Sequence, residues 1–472
     1  MSKRISAFSD DALGNLDAVG VAEAIAKKKI SVEEATEAAI ARAEKVNGEL
    51  NAIVLKTYDD ARKHSSLAKD GLLYGVPSFI KDNENIEGYP TQLGTGSFTS
   101  KIAKKSSRFV SQFHSTGTNN LGKSTLPEFG LICSTENERW GITRNPWNTD
   151  YTTGGSSSGS GALVASGVVP IASANDGAGS IRIPAACCGL VGLKPTRGRL
   201  VAMEGSELMP LQIVYEGVLT RSVRDTAAFF ASAEKFYKNA KLPELGHVKQ
   251  AGKKKLRIVF FENPPSGKGA HQDAETNRVQ LETVALLQSL GHTVVQLPLP
   301  IDVETMTEHY LLYYGFLAYM LSHHGRLVIG AKVNHAVLEP FTLGLSQNFK
   351  DNKLKLPRSI KTLRKVGVDT EKLFDQYDII MTPVLAHTTP PIGHFSPTLS
   401  YAEVSKRAVE FAAYCGLQNI TGSPAISLPM GKTENGMPIA VQFSAPFGLD
   451  QRLLELAYEL ETARPWGFVY GG

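Results

Sequence analysis

A serine that follows a run of small residues is the first candidate for chemistry in this sequence. Gly177, Ala178, Gly179 and Ser180 come directly after Asp176, and small residues in such a turn can point several backbone N–H groups in one direction. Acyl transfer needs such donors beside the nucleophile, because they stabilise the oxyanion that forms when a hydroxyl attacks a carbonyl. A structural glycine turn before a strand has the same composition, so this segment alone leaves both interpretations open.

Lys81 is a candidate base, because it ends the apolar segment 76–80. A lysine at the end of a buried strand loses solvation, and burial disfavours its charged form. A neutral amine near pH 7 could then accept a proton. The alternative is a lysine that extends to solvent or pairs with Asp82.

A second serine lies in a pattern typical of another hydrolase class. Residues 155–159 fit GxSxG, the nucleophile elbow of α/β-hydrolases, with Ser157 as its serine. That elbow sits between a strand and a helix and needs an acid and then a histidine downstream. The preceding segment, NPWNTDYTT, is not an apolar strand, so the match is weak.

Residues 117–124 match the phosphate-binding pattern GxxxxGK[ST]. A P-loop follows a buried strand and opens a helix. Here the preceding segment, SSRFVSQFHST, has the pattern of an amphipathic helix, and Pro127 follows soon after. Pro127 suits an irregular turn after this segment, and we expect no nucleotide site at 117–124.

Composition narrows the function classes. The chain has 472 residues and a net charge of +4, which is too small to indicate a nucleic-acid partner. Its four cysteines show no CxxC spacing and its histidines no HxxxH spacing, so we expect neither a disulfide framework nor a metal site. The first residues contain no apolar signal segment, and the longest apolar run, 311–321, is too short to span a bilayer. A cytoplasmic protein without membrane insertion is expected.

The elements that would position these residues alternate between helices and strands. Helices are predicted over 15–47, where Ser31 and Glu34 form a capping box, over 274–290, and across much of 303–377. Strands are predicted at LRIVFF, HTVVQLPLP, YDIIMTPVLA, PAISLP and MPIAVQFSA. This pattern predicts one large α/β domain with helices on both faces of a sheet.

Four segments taken together resemble the amidase signature family of serine hydrolases: GVPSFIKDN, TGGSSSGSG, NDGAGSIRIPA and CGLVGLKPTRGR, in that order. The resemblance continues in GKSTLPEFG, WGITRNPWN, YDIIMTPV and NITGSPAISLPMG, and so covers about residues 15–465. It implies a single α/β/α domain over 1–472 with a mixed central β-sheet. The signature core would lie at about 70–235 and 415–465, and a variable pocket region at about 236–414.

The resemblance also implies the roles of individual residues. Ser180 matches the nucleophile, Ser156 the bridging serine 24 residues earlier, and Lys81 the base. The family implies a cis peptide between Gly155 and Ser156. The backbone of Gly177, Ala178, Gly179 and Ser180 matches the oxyanion hole. Neither a metal nor an organic cofactor is implied.

The expected activity is that of an amidase acting on non-peptide C–N bonds, of the EC 3.5.1 or 3.5.2 type, through an acyl-enzyme. The substrate would be a small or medium carboxylic amide, with linear and cyclic oligoamides among the candidates. The segment NDGAGSIRIPA also resembles the branch that includes the 6-aminohexanoate cyclic-dimer hydrolase. Tyr310, Tyr313, Tyr314 and Phe316 could form an aromatic wall of the pocket, although ordinary core packing explains them equally well.

Three alternatives stay open. A glutaminase subunit of a tRNA-dependent amidotransferase typically carries a segment like SSLDQIGP after KPTRGR, whereas this chain has LVAMEGSELMPLQIVYEGVL. A lipid amidase resembling fatty-acid amide hydrolase is compatible with the apolar run 311–321, but no anchor segment is present. A non-catalytic binding protein with this fold is disfavoured because all three triad positions are filled. The expected partner is a small-molecule amide, and formation of a homodimer is left open.

Overall fold

The computed structural model describes residues 3–63, 67–206, 209–261, 272–298 and 301–469. The strands found within those ranges are, in chain order, β1 (Ile53–Lys56), β2 (Pro77–Lys81), β3 (Asn119–Ser124), β4 (Glu136–Asn137), β5 (Gly141–Ile142), β6 (Arg144–Asn145), β7 (Asn148–Thr152), β8 (Ile171–Asp176), β9 (Val191–Lys194), β10 (Tyr215–Thr220), β11 (Arg257–Phe260), β12 (Thr293–Gln296), β13 (Ile379–Pro383), β14 (Ala425–Lys432) and β15 (Pro438–Ser444).

The helices in the same ranges are α1 (Ala18–Ala26), α2 (Val32–Leu50), α3 (Tyr58–Lys63), α4 (Arg108–His114), α5 (Ser158–Ala165), α6 (Arg182–Cys188), α7 (Val223–Phe236), α8 (Ala274–Ser289), α9 (Val303–His323), α10 (Gly325–Val328), α11 (Pro340–Asn352), α12 (Leu356–Glu371), α13 (Tyr401–Phe411), α14 (Gly416–Thr421) and α15 (Asp450–Ala463).

One large sheet occupies the centre of the described structure, with the strand order β1-β3-β2-β8-β10-β9-β14-β15-β13-β11-β12. Strand β2 is parallel to β3 and β8, and β11 is parallel to β12 and β13, whereas the other neighbouring pairs are antiparallel. The sheet is therefore mixed, which confirms the expected fold class. Because β2 and β8 are parallel neighbours, their carboxyl ends lie at the same edge.

Helices cover the sheet in two groups. Helix α5 packs against α6, and these two contact β8, β9, β10 and β14. Helix α7 packs against α1 and α15, and this second group contacts β9, β10 and β14. Since both groups contact the same strands, they lie on opposite faces of the sheet. This arrangement confirms the prediction of helices on both sides.

The predicted capping box marks the start of α2. The backbone N–H of Glu34 donates to Ser31 Oγ at 3.0 Å, and the N–H of Ser31 donates to Glu34 Oε2 at 2.7 Å. The segment predicted as helical over 15–47 is thus two helices, separated where Ser31 begins the second.

The segment 117–124 contains strand β3, which the sequence patterns did not predict. This strand lies between β1 and β2 and follows helix α4, so the helix predicted before it is confirmed. Lys123 is buried, and its Nζ lies 2.7 Å from Asp82 Oδ1. The segment follows a helix and forms a strand, whereas a P-loop follows a strand and opens a helix. Its lysine, Lys123, is also paired inside the protein. The segment therefore lacks the structure of a P-loop.

The apolar run 311–321 lies within α9, as predicted. In the part of the chain that the structure describes, no helix combines the length and apolar character needed to cross a membrane.

Candidate active site

The candidate site lies where β2 and β8 end side by side. Lys81 is the last residue of β2, and Asn175 and Asp176 end β8. The turn with Ser180 follows β8 directly, and Ser156 precedes α5, which packs on β8. Parallel pairing of two strands that are distant in sequence therefore brings the three predicted catalytic residues into one region.

Lys81 contacts three polar side chains. Its Nζ lies 2.8 Å from Ser156 Oγ, 3.0 Å from Ser157 Oγ and 2.6 Å from Asn175 Oδ1. Asp82, the alternative partner considered for Lys81, pairs with Lys123 instead. The structure thus brings Lys81 and Ser156 together, within hydrogen-bond distance.

The environment of Lys81 favours its neutral form. The residue is 1 % exposed, and burial lowers the pKa of the amine to about 7, against the opposing effect of nearby carboxylates. A lysine of this kind is partly deprotonated at neutral pH, as a base must be.

The neighbours of Lys81 determine where its lone pair points. The oxygen of Asn175 can only accept, and the Ser157 hydroxyl donates its single proton to the carbonyl of Ser180 at 2.6 Å. Ser157 Oγ is therefore also an acceptor toward Lys81. A neutral amine has two N–H groups and one lone pair. With both N–H groups donated to Asn175 and Ser157, the lone pair faces the hydroxyl of Ser156.

The peptide bond between Gly155 and Ser156 is cis, as the resemblance implied. Two close approaches surround it. A Cβ on Gly155 would lie 2.8 Å from the backbone nitrogen of Ser134, and a Cβ on Gly130 would lie 3.2 Å from Ser156 Oγ. Glycine at both positions therefore leaves room for the bridging serine.

Asp176 fixes the turn that carries Ser180 by accepting hydrogen bonds from backbone N–H groups of the turn. The N–H of Gly179 donates to Asp176 Oδ1 at 2.7 Å, and the N–H of Ile181 donates to Oδ2 at 3.2 Å. Arg182 Nη2 lies 2.9 Å from Asp176 Oδ1. Burial acts to raise the pKa of Asp176, but the Arg182 charge and the hydrogen bonds outweigh it and lower the pKa to about 2. Asp176 is therefore a permanent anion that shapes the turn.

This contact corrects one expectation about the oxyanion hole. The N–H of Gly179 is already donated to a carboxylate, so it is not free to bind a developing oxyanion. The N–H groups of Gly177, Ala178 and Ser180 remain as the candidate donors. The small residues in the turn thus serve two purposes: anchoring to Asp176 and presenting donors.

The Ser180 side chain is buried at the end of the turn. Among the described residues, Ser180 Oγ and Ser156 Oγ are not hydrogen-bonded to each other, while the Ser180 carbonyl is held by Ser157. The structure therefore contains the contact between Lys81 and Ser156.

Two of the four predicted pocket aromatics lie at this turn. The hydroxyl of Tyr310 donates to the carbonyl of Gly177, and the hydroxyl of Tyr314 lies 3.1 Å from the position that a Cβ on Gly177 would occupy. The rings of Tyr310 and Tyr314 are 5.7 Å apart. Helix α9 thus places two tyrosines against the nucleophile turn.

The other two aromatics make different contacts. The Tyr313 hydroxyl is hydrogen-bonded to the backbone N–H and C=O of Leu211, at 2.9 and 2.6 Å. Phe316 packs against Phe349, with ring centroids 5.5 Å apart. The structure does not bring Tyr313 and Phe316 to the turn, because they occupy other faces of α9.

Sequence reasoning missed Asn175 and the contact that Ser157 makes with the site. Asn175 precedes the aspartate of the NDGAGS segment, but its significance depends on the pairing of β2 with β8. Ser157 was considered only as the nucleophile of a GxSxG elbow, whereas its hydroxyl contacts Lys81 and Ser180. Neither contact has a local sequence signal.

Comparison with known proteins agrees with this geometry. The family described as Amidase matches residues 34–454. The AmiC protein of Mycobacterium leprae (strain TN) is 45% identical over 470 residues, which cover 100% of both chains. The 6-aminohexanoate-cyclic-dimer hydrolase of Pseudomonas sp. (strain NK87) is 32% identical over 95% of each chain.

A solved structure of 6-aminohexanoate cyclic dimer hydrolase complexed with substrate superimposes with a TM-score of 0.86. The two chains are 30% identical, and the match covers 96% of this chain and 97% of that one. The family match spans most of the chain, and it includes the segments that hold the lysine and both serines. The chain therefore belongs to the amidase signature family and is an amide hydrolase.

Proposed function

We propose that the chain hydrolyses small or medium carboxylic amides through an acyl-enzyme on Ser180, with Ser156 as the bridging residue and Lys81 as the base. The observation that carries this proposal is the buried contact between Lys81 Nζ and Ser156 Oγ, which lie 2.8 Å apart. Among the described residues, the other two partners of Lys81 Nζ are Asn175 Oδ1, which carries no proton, and Ser157 Oγ, whose proton is donated to the Ser180 carbonyl.

In the first half of the reaction, Lys81 accepts the proton of Ser156 as Ser156 accepts that of Ser180. Ser180 Oγ forms a bond to the amide carbon, and the negative charge moves to the carbonyl oxygen. The candidate N–H donors of the turn stabilise that charge. When the C–N bond breaks, the proton held by Lys81 returns through Ser156 to the departing amine, which is a poor leaving group without it.

In the second half, a water molecule replaces the amine. Its proton passes to Ser156 and Lys81, its oxygen bonds to the acyl carbon, and the bond to Ser180 breaks. The proton then returns to Ser180, and the carboxylic acid leaves. Every proton that enters the relay therefore leaves it within the same cycle.

The substrate class is inferred from the pocket and from the relatives. Tyr310 and Tyr314 lie against the nucleophile turn and give its surroundings an aromatic character. A relative that covers 95% of this chain is named for its action on the 6-aminohexanoate cyclic dimer. Both observations support an amide with an apolar chain, and a cyclic or linear oligoamide is the first compound to test. A cytoplasmic location also stays a prediction, supported by four cysteines that are free and buried.

The test is covalent labelling with a fluorophosphonate, followed by peptide mapping. We expect one adduct on Ser180, which is lost in Lys81→Met and in Ser156→Ala. Ser166→Ala is the matched control, because Ser166 Oγ bonds to Leu163 at the far end of α5. An adduct on Ser157, or full labelling of Lys81→Met, would contradict the proposal.

Hydrolysis is then measured with the 6-aminohexanoate cyclic dimer, its linear dimer and an acetanilide, by release of the amine. A labelled protein that hydrolyses none of these three would retain the proposed nucleophile but not the proposed substrate class.

A further inference from the structure

Two buried carboxyl groups lie next to Lys81, and the mechanism above uses neither. Glu84 follows Lys81 by three residues, and Glu216 is on β10, directly opposite Asn175 in the antiparallel pairing of β10 with β8. Each is 3 % exposed. Opposite residues of an antiparallel pair have side chains on the same face of the sheet, so Glu216 and Asn175 are neighbours.

The Glu216 carboxyl group has fewer hydrogen-bond donors than a buried carboxyl group usually has. Its Oε1 is buried and finds no donor among the described residues. The groups that it meets are the carboxyl of Glu84 and the side chain of Asn175. Buried acceptors without a donor are rare, so this oxygen requires an explanation.

A proton shared by the two acids supplies the missing donor. Two buried carboxyl groups in contact do not both stay charged, because burial and their mutual repulsion outweigh the opposing effects of Lys81 and Lys123 on their pKa values. Burial, and then the charge of Glu84, raises the pKa of Glu216, and burial likewise raises the pKa of Glu84. Glu84 also accepts a hydrogen bond from the hydroxyl of Ser107, which holds its other oxygen in place. The pair then carries one proton and one negative charge.

The orientation of the Asn175 amide connects this pair to the base. Its oxygen faces Lys81 Nζ at 2.6 Å, so its NH2 group is turned away, toward Glu216. In the opposite orientation the NH2 group would donate to Lys81 and occupy the lone pair that Ser156 requires. The direction of one amide therefore decides whether Lys81 can act as a base.

We propose that Glu84 and Glu216 form a positioning pair, whose shared charge accepts from the Asn175 amide and thereby keeps the Lys81 lone pair directed at Ser156. This inference rests on the proposed function, because it assigns the pair a purpose only if Lys81 is the base. Both acids are buried, so their effect passes through Asn175 and through the electric field at Lys81.

The other charged groups near the pair are either paired with an opposite charge or, in the case of Glu204, exposed at the surface. The charged groups that face the pair and Lys81 from neighbouring elements are Asp176, paired with Arg182, Lys123, paired with Asp82, and Glu204. The charge of the pair stabilises protonated Lys81. Removing it lowers the pKa of Lys81, so the rise of activity with pH moves to lower pH.

The experiment measures the second-order rate of fluorophosphonate labelling of Ser180 against pH. Glu216→Met removes the acceptor for Asn175, and we expect the plateau rate to fall about tenfold or more. Glu216→Gln copies the protonated acid and leaves the charge on Glu84, so it should recover most of the rate that Glu216→Met loses. Glu461→Met is the control, because Glu461 is a partly buried acid that accepts from Val223 elsewhere.

The double variant Glu84→Gln/Glu216→Gln removes the charge and keeps the shape. Its midpoint for the rise with pH should lie about one pH unit below that of the wild type. An unchanged midpoint, or equal plateau rates for Glu216→Met and Glu216→Gln, overturns the inference. If Glu216→Met does not fold, the midpoint of the double variant decides alone.

The two proposals fail in different ways. If the wild type is not labelled at Ser180, or Lys81→Met is labelled at the wild-type rate, the proposed function is wrong. If Lys81→Met abolishes labelling while the acid variants behave as the wild type does, only the positioning pair is wrong.

Discussion

Gly130 lies so close to Ser156 that a Cβ on Gly130 would be 3.2 Å from Ser156 Oγ. Gly130 also has φ +67°, a left-handed conformation that favours glycine. A side chain at position 130 would therefore act on Ser156 directly, although the residue has no functional group of its own.

Gly130→Ala is expected to lower the labelling rate of Ser180 by about tenfold, because Ser156 must shift by a few tenths of an ångström and a displacement of about 1 Å costs about a hundredfold. Gly330→Ala is a matched control: Gly330 has φ +68°, and nothing lies within 4 Å of its Cβ position. Both substitutions carry the same backbone cost of about 1–2 kcal/mol. Equal labelling rates for the two variants would show that the contact with Ser156 is unimportant.

Ser157→Ala tests how the lone pair of Lys81 is directed. The substitution removes one acceptor for the amine and the hydrogen bond to the Ser180 carbonyl. We expect the labelling rate to fall about tenfold to a hundredfold, which corresponds to about 1.5–3 kcal/mol. The adduct should stay on Ser180. Movement of the adduct, or a rate equal to that of Ser166→Ala, would argue against this role.

The pH dependence of labelling follows from the lowered pKa of Lys81. The amine is a base only when neutral, so the rate should rise with pH and reach half its plateau at about pH 7. The measurement is the labelling rate over about pH 5 to 9, with Lys81→Met as the variant in which the rise should vanish. A rate that is constant over this range would mean that Lys81 is not the titrating base.

Tyr310→Phe removes the hydrogen bond that the hydroxyl donates to the carbonyl of Gly177. The turn then loses one restraint, and kcat/KM for amide hydrolysis should fall about threefold to tenfold. Tyr313→Phe is the comparison, because among the described residues the Tyr313 hydroxyl bonds to the backbone of Leu211. It should lower the thermal unfolding midpoint and leave kcat/KM unchanged. The reverse result would place Tyr313, and not Tyr310, at the site.

The sequence predicted the strand that ends at Lys81 and the turn at Ser180, because apolar residues ending in a lysine and small residues before a serine are local patterns. The family resemblance then added Ser156. The sequence could not predict that Glu216 lies opposite Asn175, since that contact depends on the pairing of β10 with β8. Cross-strand partners forty-one residues apart leave no local pattern.

Strand β3 shows a second limit of sequence reasoning. Its residues, NNLGKS, are mostly polar and lack the alternation of a strand, so sequence patterns do not predict a strand here. The structure buries this segment because Lys123 is paired with Asp82 and because Gly122 passes close to Leu55, whose carbonyl oxygen would lie 2.2 Å from a Cβ on Gly122. Burial here depends on partners elsewhere in the chain.

The bond from Tyr310 to Gly177 has a consequence for engineering this enzyme. Tyr310 belongs to the long helix α9, and its hydroxyl donates to the carbonyl of Gly177 in the turn that carries Ser180. A replacement helix without a tyrosine at position 310 would change the pocket and would also remove the hydrogen bond that restrains the turn carrying Ser180. A redesign of the pocket should therefore exchange the residues around Tyr310 and keep Tyr310 itself, so that its hydrogen bond to Gly177 is retained.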